Sequence, residues 1–329
     1  MKALVYRGVG CLELEELPYP SGDVVVQVLR AGICGTDVKT YRRGHHLFPT
    51  PAILGHECYG IIHMSSIPEF QKGDIVVVAP YLGCGQCWKC MSGLGELCFA
   101  KTFISTGCFT EYISFTAQEA RKLLFKIDND NEAMVLAEPL SCVLNGVRKC
   151  GNGKKPLIVG GGPMGALFSC YFELHGQTPT IVEPSRWRAD FLRKLGFQVV
   201  SPTQLCKSDE YNPVILCVDK PDLLEKYIPL VQDGGVLLLF AGYARDAKVT
   251  IDPFHIHYRE VSIHGSFGYS NVDFQQSLEE LANYSSMYGK IITHQFSLEQ
   301  FTEAFSILEK GEALKVVFHV GPNVYRRGL

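Results

Sequence analysis

Leu157-Ile158-Val159-Gly160-Gly161-Gly162-Pro163-Met164-Gly165 is the stretch that decides the fold. A short apolar run enters three glycines and leaves into an apolar segment, 163–175, with helical composition. Gly-x-Gly-x-x-Gly between a strand and a helix is a dinucleotide fingerprint. Gly160 allows the tight turn, Gly162 lets the backbone approach a pyrophosphate, and Gly165 lets helix and strand pack closely. With Pro163 and Met164 they form the expected cofactor turn, where the helix N-terminus favours negative charge. The next strand, 180–183, ends in Glu183. A carboxylate there bonds a ribose 2′-hydroxyl and repels a 2′-phosphate, so NAD is expected over NADP. Arg188, close behind with Arg186, joins the expected cofactor residues and would soften that preference.

Working outward, the pattern repeats. A helix is expected over 186–195, stopped by Gly196. Apolar runs at 198–200, 214–218, 236–240 and 261–264 continue the series. Short apolar strands alternating with helices imply a parallel sheet covered on both faces. Six such strands suit a doubly wound nucleotide-binding sheet. Upstream, the first ~130 residues read as β-rich, with runs such as 24–29 and 75–79 separated by Gly/Pro-containing turns. Downstream comes a helix at 274–284, and after it a short strand, a helix at 298–308 and a last strand at 315–320, three elements too few to form a domain alone. They are expected to return to the β-rich part. The chain therefore divides into 1–140 with 285–329, and 141–284.

The composition agrees. At 329 residues, with 47% hydrophobic and 20% charged side chains, the chain is long enough for about two globular domains. A formal charge of −3 points to neither nucleic acid nor an anionic membrane. No apolar run reaches the ~20 residues of a bilayer span. The first residues, Met1 to Tyr6, alternate like a strand and lack signal-peptide features. A cytoplasmic location is expected.

Thirteen cysteines are too many to ignore and are odd in number, and a chain this long is no small disulfide scaffold. Four of them cluster as Cys84-x2-Cys87-x2-Cys90-x7-Cys98. Four soft sulfurs in a tetrahedron suit a structural zinc, with an iron–sulfur cluster as the lesser alternative. A second constellation is split between Cys34-Gly35-Thr36-Asp37 and Gly55-His56-Glu57. A thiolate, an imidazole and a carboxylate with one open position make a catalytic zinc site.

These motifs, in this order, resemble the zinc-dependent medium-chain dehydrogenases, in their polyol (sorbitol-like) branch. The resemblance covers nearly the whole chain and includes Gly73-Asp74-Ile75-Val76, Glu138-Pro139-Leu140 and the run Gly311 to Val316. It implies a β-rich GroES-like catalytic domain, discontinuous in sequence, plus a Rossmann domain. It also implies a homodimer or homotetramer, and two zinc ions per chain. Cys34, His56 and Glu57 match the region of the catalytic zinc, Glu138 the position of the third protein ligand, and Thr36 the hydroxyl that contacts the alcohol. Asp37 matches the acid that orients the zinc-bound histidine. Lys39 stands where many relatives carry a relay histidine, so the proton leaves through Thr36 and the ribose or through Lys39 itself. Cys108 and Lys220 each replace a usual glycine.

The expected reaction is hydride transfer between NAD and a secondary alcohol, first of all a polyol or cyclitol. Backbone around Ala241, Gly242, Ser266 and Phe267, after the late strands, is expected to hold the nicotinamide. A sugar or polyol phosphate is the next substrate class, since Arg42, Arg43, His45 and His46 could receive an anion. An amino alcohol is a third. A non-catalytic protein on the same scaffold is disfavoured by the intact ligand residues.

Overall fold

The computed structural model describes residues 1–45, 48–205 and 210–321, so His46 lies outside the described residues. The chain divides into two compact units, Met1–Pro139 with Ser270–Leu329, and Leu140–Tyr269.

In the second unit, six parallel strands form one sheet: β1 (Leu157–Val159), β2 (Thr180–Val182), β3 (Gln198–Val200), β4 (Val214–Leu216), β5 (Val236–Leu239) and β6 (Ser262–Gly265). Their order is β3-β2-β1-β4-β5-β6, the doubly wound arrangement. The central strands β1 and β4 are buried at every residue, which is why they read as continuous apolar runs. Helix α1 (Pro163–Leu174) follows β1 and helix α2 (Arg186–Lys194) follows β2. The order of β1 reverses direction between β2 and β4, and ligands of such sheets bind outside the strand C-termini at that switch.

The first unit is organised by one long strand, Val24–Ile33, of which nine of ten residues are buried. It pairs antiparallel with Glu57–Ser65, with Tyr112–Phe115 and with Lys315–His319. The registers matter for chemistry: Gly32 faces Glu57, and Ile33 faces Val316. Ile33-Cys34, Glu57 and Lys315 are thereby brought to one end of one sheet. A Cβ on Gly32 would collide with the Glu57 carboxylate and meet Lys315 Cε at 3.0 Å, so only glycine lets the two strands close there.

The chain rejoins the first unit at Ser270, earlier than the expected 285. The helix Asn271–Tyr288 starts with a capping box, Ser270 and Asp273 bonding each other's backbone N–H groups. Phe274 is fully buried, 5.1 Å from the ring of Phe125. The Phe274–Phe125 contact ties the start of this helix, which kinks at Tyr284, to the β-rich unit. The expected helix at 298–308 is a 3₁₀ turn, Leu298–Gln300, followed by the α-helix Phe301–Lys310. No helix among the described residues is long and apolar enough to cross a membrane.

Candidate active site

Cys34 ends the long strand and caps the helix Gly35–Arg43. Its sulfur accepts from the Thr36 N–H at 3.4 Å, while Asp37 Oδ2 accepts from the Cys34 N–H at 2.9 Å. This is a capping box with cysteine where serine or threonine is usual, and it fixes the sulfur. Asp37 is fully buried; its Oδ1 accepts from the Gly55 N–H at 3.2 Å and lies 3.6 Å from His56 Nδ1. One carboxylate thus positions both halves of the split motif. Gly55, at φ +90°, permits the approach, since a Cβ there would press into the Phe109 ring and the Cys108 sulfur. Burial opposes a charge on His56, but Asp37 and Cys34 outweigh it and raise its pKa well above the ordinary imidazole value.

Ligand atoms of Cys34, His56 and Glu57 all lie within 4.8 Å of one another. Glu57 is buried and ion-paired with Lys315, itself 3% exposed, whose Nζ also donates to the Ile33 carbonyl at 3.1 Å. Burial opposes the Lys315 charge, yet Glu57 beside it holds the ammonium pKa up. Glu57 Oε1 has no hydrogen-bond donor, an orphaned buried atom that a cation would satisfy. The S, N, O donor set fits zinc. Glu138 is not in this trio: it sits in the first turn of the helix Ala137–Lys149, near enough to raise the Lys315 pKa. Thr36 is half-buried and Lys39 is exposed. Arg42 Nε is held by Glu309 at 2.9 Å, which draws it away from the expected anion role.

The four clustered cysteines converge. Their sulfurs lie within 4.8 Å of one another and all four are free thiols. Cys87 Sγ is 3.6 Å from that of Cys90 and 3.7 Å from that of Cys98, and Cys84 Sγ is 4.0 Å from that of Cys90. A tetrahedron with Zn–S bonds of ~2.3 Å has edges of about 3.8 Å, so the spacing fits zinc. The Gln86 and Cys87 N–H groups donate to the Cys84 sulfur and pull its pKa down to about 6. Asn271 anchors the lobe, accepting from the Gly83 N–H at 2.8 Å and donating to its carbonyl at 3.2 Å.

In the second unit the glycine turn has the shape the fingerprint requires. Gly160 sits at φ +103°. A Cβ on Gly165 would strike the Gly160 carbonyl oxygen, whereas a Cβ on Gly162 meets nothing within 4 Å. Gly162 therefore leaves open the space a pyrophosphate would use, and no side chain caps α1 there. Pro163 opens α1 and Met164 follows in its first turn. Glu183 is 4% exposed, and its carboxylate accepts from Gly161 N–H at 2.8 Å and Ser185 N–H at 2.7 Å. It is pinned against the turn with lone pairs to spare. Arg188 Nε is buried without a partner, while the Arg186 side chain is 97% exposed. Ala241 and Ser266 follow β5 and β6, their N–H groups donating to Leu216 and Leu239. Gly242 and Phe267 beside them are exposed.

Sequence reasoning missed Lys315, although it noted the run that contains it. Its partner comes from a distant strand, so only the observed register pairs them.

Comparison with known proteins agrees with this geometry. The family model for the alcohol dehydrogenase GroES-like domain matches residues 20–126, and that for the zinc-binding dehydrogenases matches residues 163–283. The chain is 30% identical over 321 residues to D-altritol 5-dehydrogenase of Agrobacterium fabrum, covering 93% of this chain and 95% of that protein. It is 29% identical to sorbitol dehydrogenase of Bacillus subtilis, covering 97% of each. The solved structure of 2R,3R-butanediol dehydrogenase from Bacillus subtilis shares the fold, with a TM-score of 0.86 at 24% identity over 98% of this chain and 99% of that one. Sequence, fold and paired metal-ligand clusters lead to one assignment: the chain belongs to the zinc-dependent medium-chain dehydrogenases, in their polyol dehydrogenase branch.

Proposed function

We propose that this protein is an NAD-dependent dehydrogenase that oxidises a secondary hydroxyl of a polyol or cyclitol to a ketone. The observation that carries the reading is the trio Cys34, His56 and Glu57, with ligand atoms within 4.8 Å of one another and oriented by the buried Asp37. When bound, zinc supplies a Lewis acid for the substrate hydroxyl and NAD a hydride acceptor. Cys34 and His56 hold the metal, and Glu57 and Glu138 complete its surroundings. Thr36 hydrogen-bonds the substrate hydroxyl and starts the proton path, and Lys39, on the same helix, takes the proton to solvent. Gly160, Gly162, Pro163, Met164 and Gly165 receive the pyrophosphate, Glu183 the adenosine ribose, and Arg188 lines that pocket. Ala241, Gly242, Ser266 and Phe267 hold the nicotinamide. Cys84, Cys87, Cys90 and Cys98 hold the second, structural zinc.

The protein assembles as a homodimer or homotetramer. Among the described residues edge strand β6 pairs with β5 alone, and Phe254, Tyr258 and Phe267, before and after it in sequence, are 56%, 71% and 68% exposed. An unpaired edge flanked by apolar side chains is a template for a second copy. A cytoplasmic location fits the free thiols, since a reducing compartment keeps such ligands available.

The test is NADH formation at 340 nm with polyols, cyclitols, amino alcohols and polyol phosphates, with and without a chelator. Chelator-sensitive turnover of unphosphorylated polyols is expected. Turnover that survives complete zinc removal would sink the reading, and turnover of phosphates alone would replace its substrate class.

A further inference from the structure

Asn145 lies on the helix Ala137–Lys149 with its side chain fully buried. A primary amide carries two donors and one acceptor oxygen, and burying it is costly unless they are used. Here all are used within the parallel-sheet unit. Nδ2 donates to the Phe267 carbonyl at 3.2 Å and to the Gly268 carbonyl at 2.9 Å. Oδ1 accepts from Arg148 Nη2 at 3.0 Å. A guanidinium only donates, so Arg148 fixes which end of the amide is the oxygen.

The segment held in this way directly follows β6. Ser266 is tied back by its N–H to the Leu239 carbonyl at 2.9 Å, and Gly268 turns the chain at φ +57°. Between those points, residues 266–268 form no ladder of their own, and the paired carbonyl bonds of Asn145 supply the constraint. Phe267, with its carbonyl drawn inward, is left 68% exposed.

We propose that Asn145 is a positioning residue for hydride transfer, holding the 266–268 segment in the shape that seats the nicotinamide half of NAD. The inference rests on the dinucleotide reading of this unit and adds a residue to it. The amide donors and acceptor of Asn145 are all taken by protein groups, leaving none for cofactor or substrate. Asn145 acts through two backbone carbonyls, and preorganisation of this kind improves binding by lowering the cost of ordering a loop.

The test compares NADH with ADP-ribose, which lacks the nicotinamide. Both are titrated into wild type, Asn145→Ala and Asn145→Asp; the aspartate keeps the shape but turns acceptors toward two carbonyls. The expected result is a loss of about tenfold in NADH affinity with ADP-ribose affinity within about twofold of wild type. Equal weakening of both ligands, or no change in NADH affinity, overturns the proposal. Hydrogen exchange on the wild type serves if the variants fail to fold. Residues 266–268 should gain protection with NADH beyond that with ADP-ribose, and equal protection overturns the proposal. A wild type that binds neither ligand would instead remove the dinucleotide reading itself.

Discussion

Lys315, on the last strand of the β-rich unit, and Glu57, directly after His56, form an ion pair in which the side chains are 4% and 0% exposed. A buried pair adds little net stability, but removing one partner leaves a charge stranded. Lys315→Met should therefore destabilise the protein by about 3–5 kcal/mol, read from urea denaturation. Adding Glu57→Gln to that variant should recover much of the loss. A double variant no more stable than Lys315→Met would show that the pair is not the cause.

The tetracysteine lobe should lose its ion without loss of the other. Cys98, 3% exposed, is its most buried ligand. Cys98→Ser should lower the zinc content from two per chain to one, measured by elemental analysis, with a clear fall in melting temperature. Unchanged zinc content would contradict the tetrathiolate assignment.

The two glycines of the cofactor turn should fail differently. Gly162→Ala meets no protein atom within 4 Å, so its melting temperature should stay near that of wild type while NADH affinity falls tenfold or more. Gly165→Ala collides with the Gly160 carbonyl and should lower both. NADH fluorescence titration beside thermal denaturation separates the two patterns.

The proposed function makes Glu183 the selector between the two dinucleotides. Glu183→Ala frees the Gly161 and Ser185 N–H groups and removes the charge that repels a 2′-phosphate. KM for NAD should rise by about tenfold or more, and KM for NADP should fall relative to it. Equal changes for both cofactors would remove Glu183 from that role.

His319 should set an acid limb of stability. Burial and the nearby Arg30 hold its pKa below the ordinary value of 6.5. The unfolded chain therefore binds the proton more readily than the native one. Its contribution is complete above about pH 6.5 and is lost as pH falls through the lowered native value. Urea midpoints of His319→Gln should drop less than those of wild type between pH 7 and 5. Parallel curves would show that His319 has no part in it.

Much of this was legible because the determinants are local. The glycine turn needs residues of one type at three nearby positions, and the tetrathiolate lies within Cys84 to Cys98. The apolar run predicts a helix over 163–175, and α1 spans Pro163–Leu174. The less legible features depend on distant partners. Arg42 reads as a free cation until Glu309 takes it. Glu138 sits in a ligand-like motif but outside the close trio. Asn145 is one polar residue among several in its helix until two carbonyls arrive from another segment. The return at Ser270 did carry a local signal, the Ser-x-x-Asp capping box, although Asn271's hold on the cysteine lobe did not.

The separation between those partners bears on the order of events during synthesis. The four thiols of the lobe span a loop of about fourteen residues, closed soon after they leave the ribosome. They can take up zinc while most of the chain is unmade. The clamp from Asn271 to Gly83 arrives 188 residues later, and the Lys315 ammonium reaches the Ile33 carbonyl across 282. Until then Glu57 lacks its Lys315 counterion, and the Ile33 end of the strand beside it lacks its partner on the far side. On the proposed reading, a nascent chain can already bind the structural ion, whereas the surroundings of the catalytic site are complete only in a nearly finished protein.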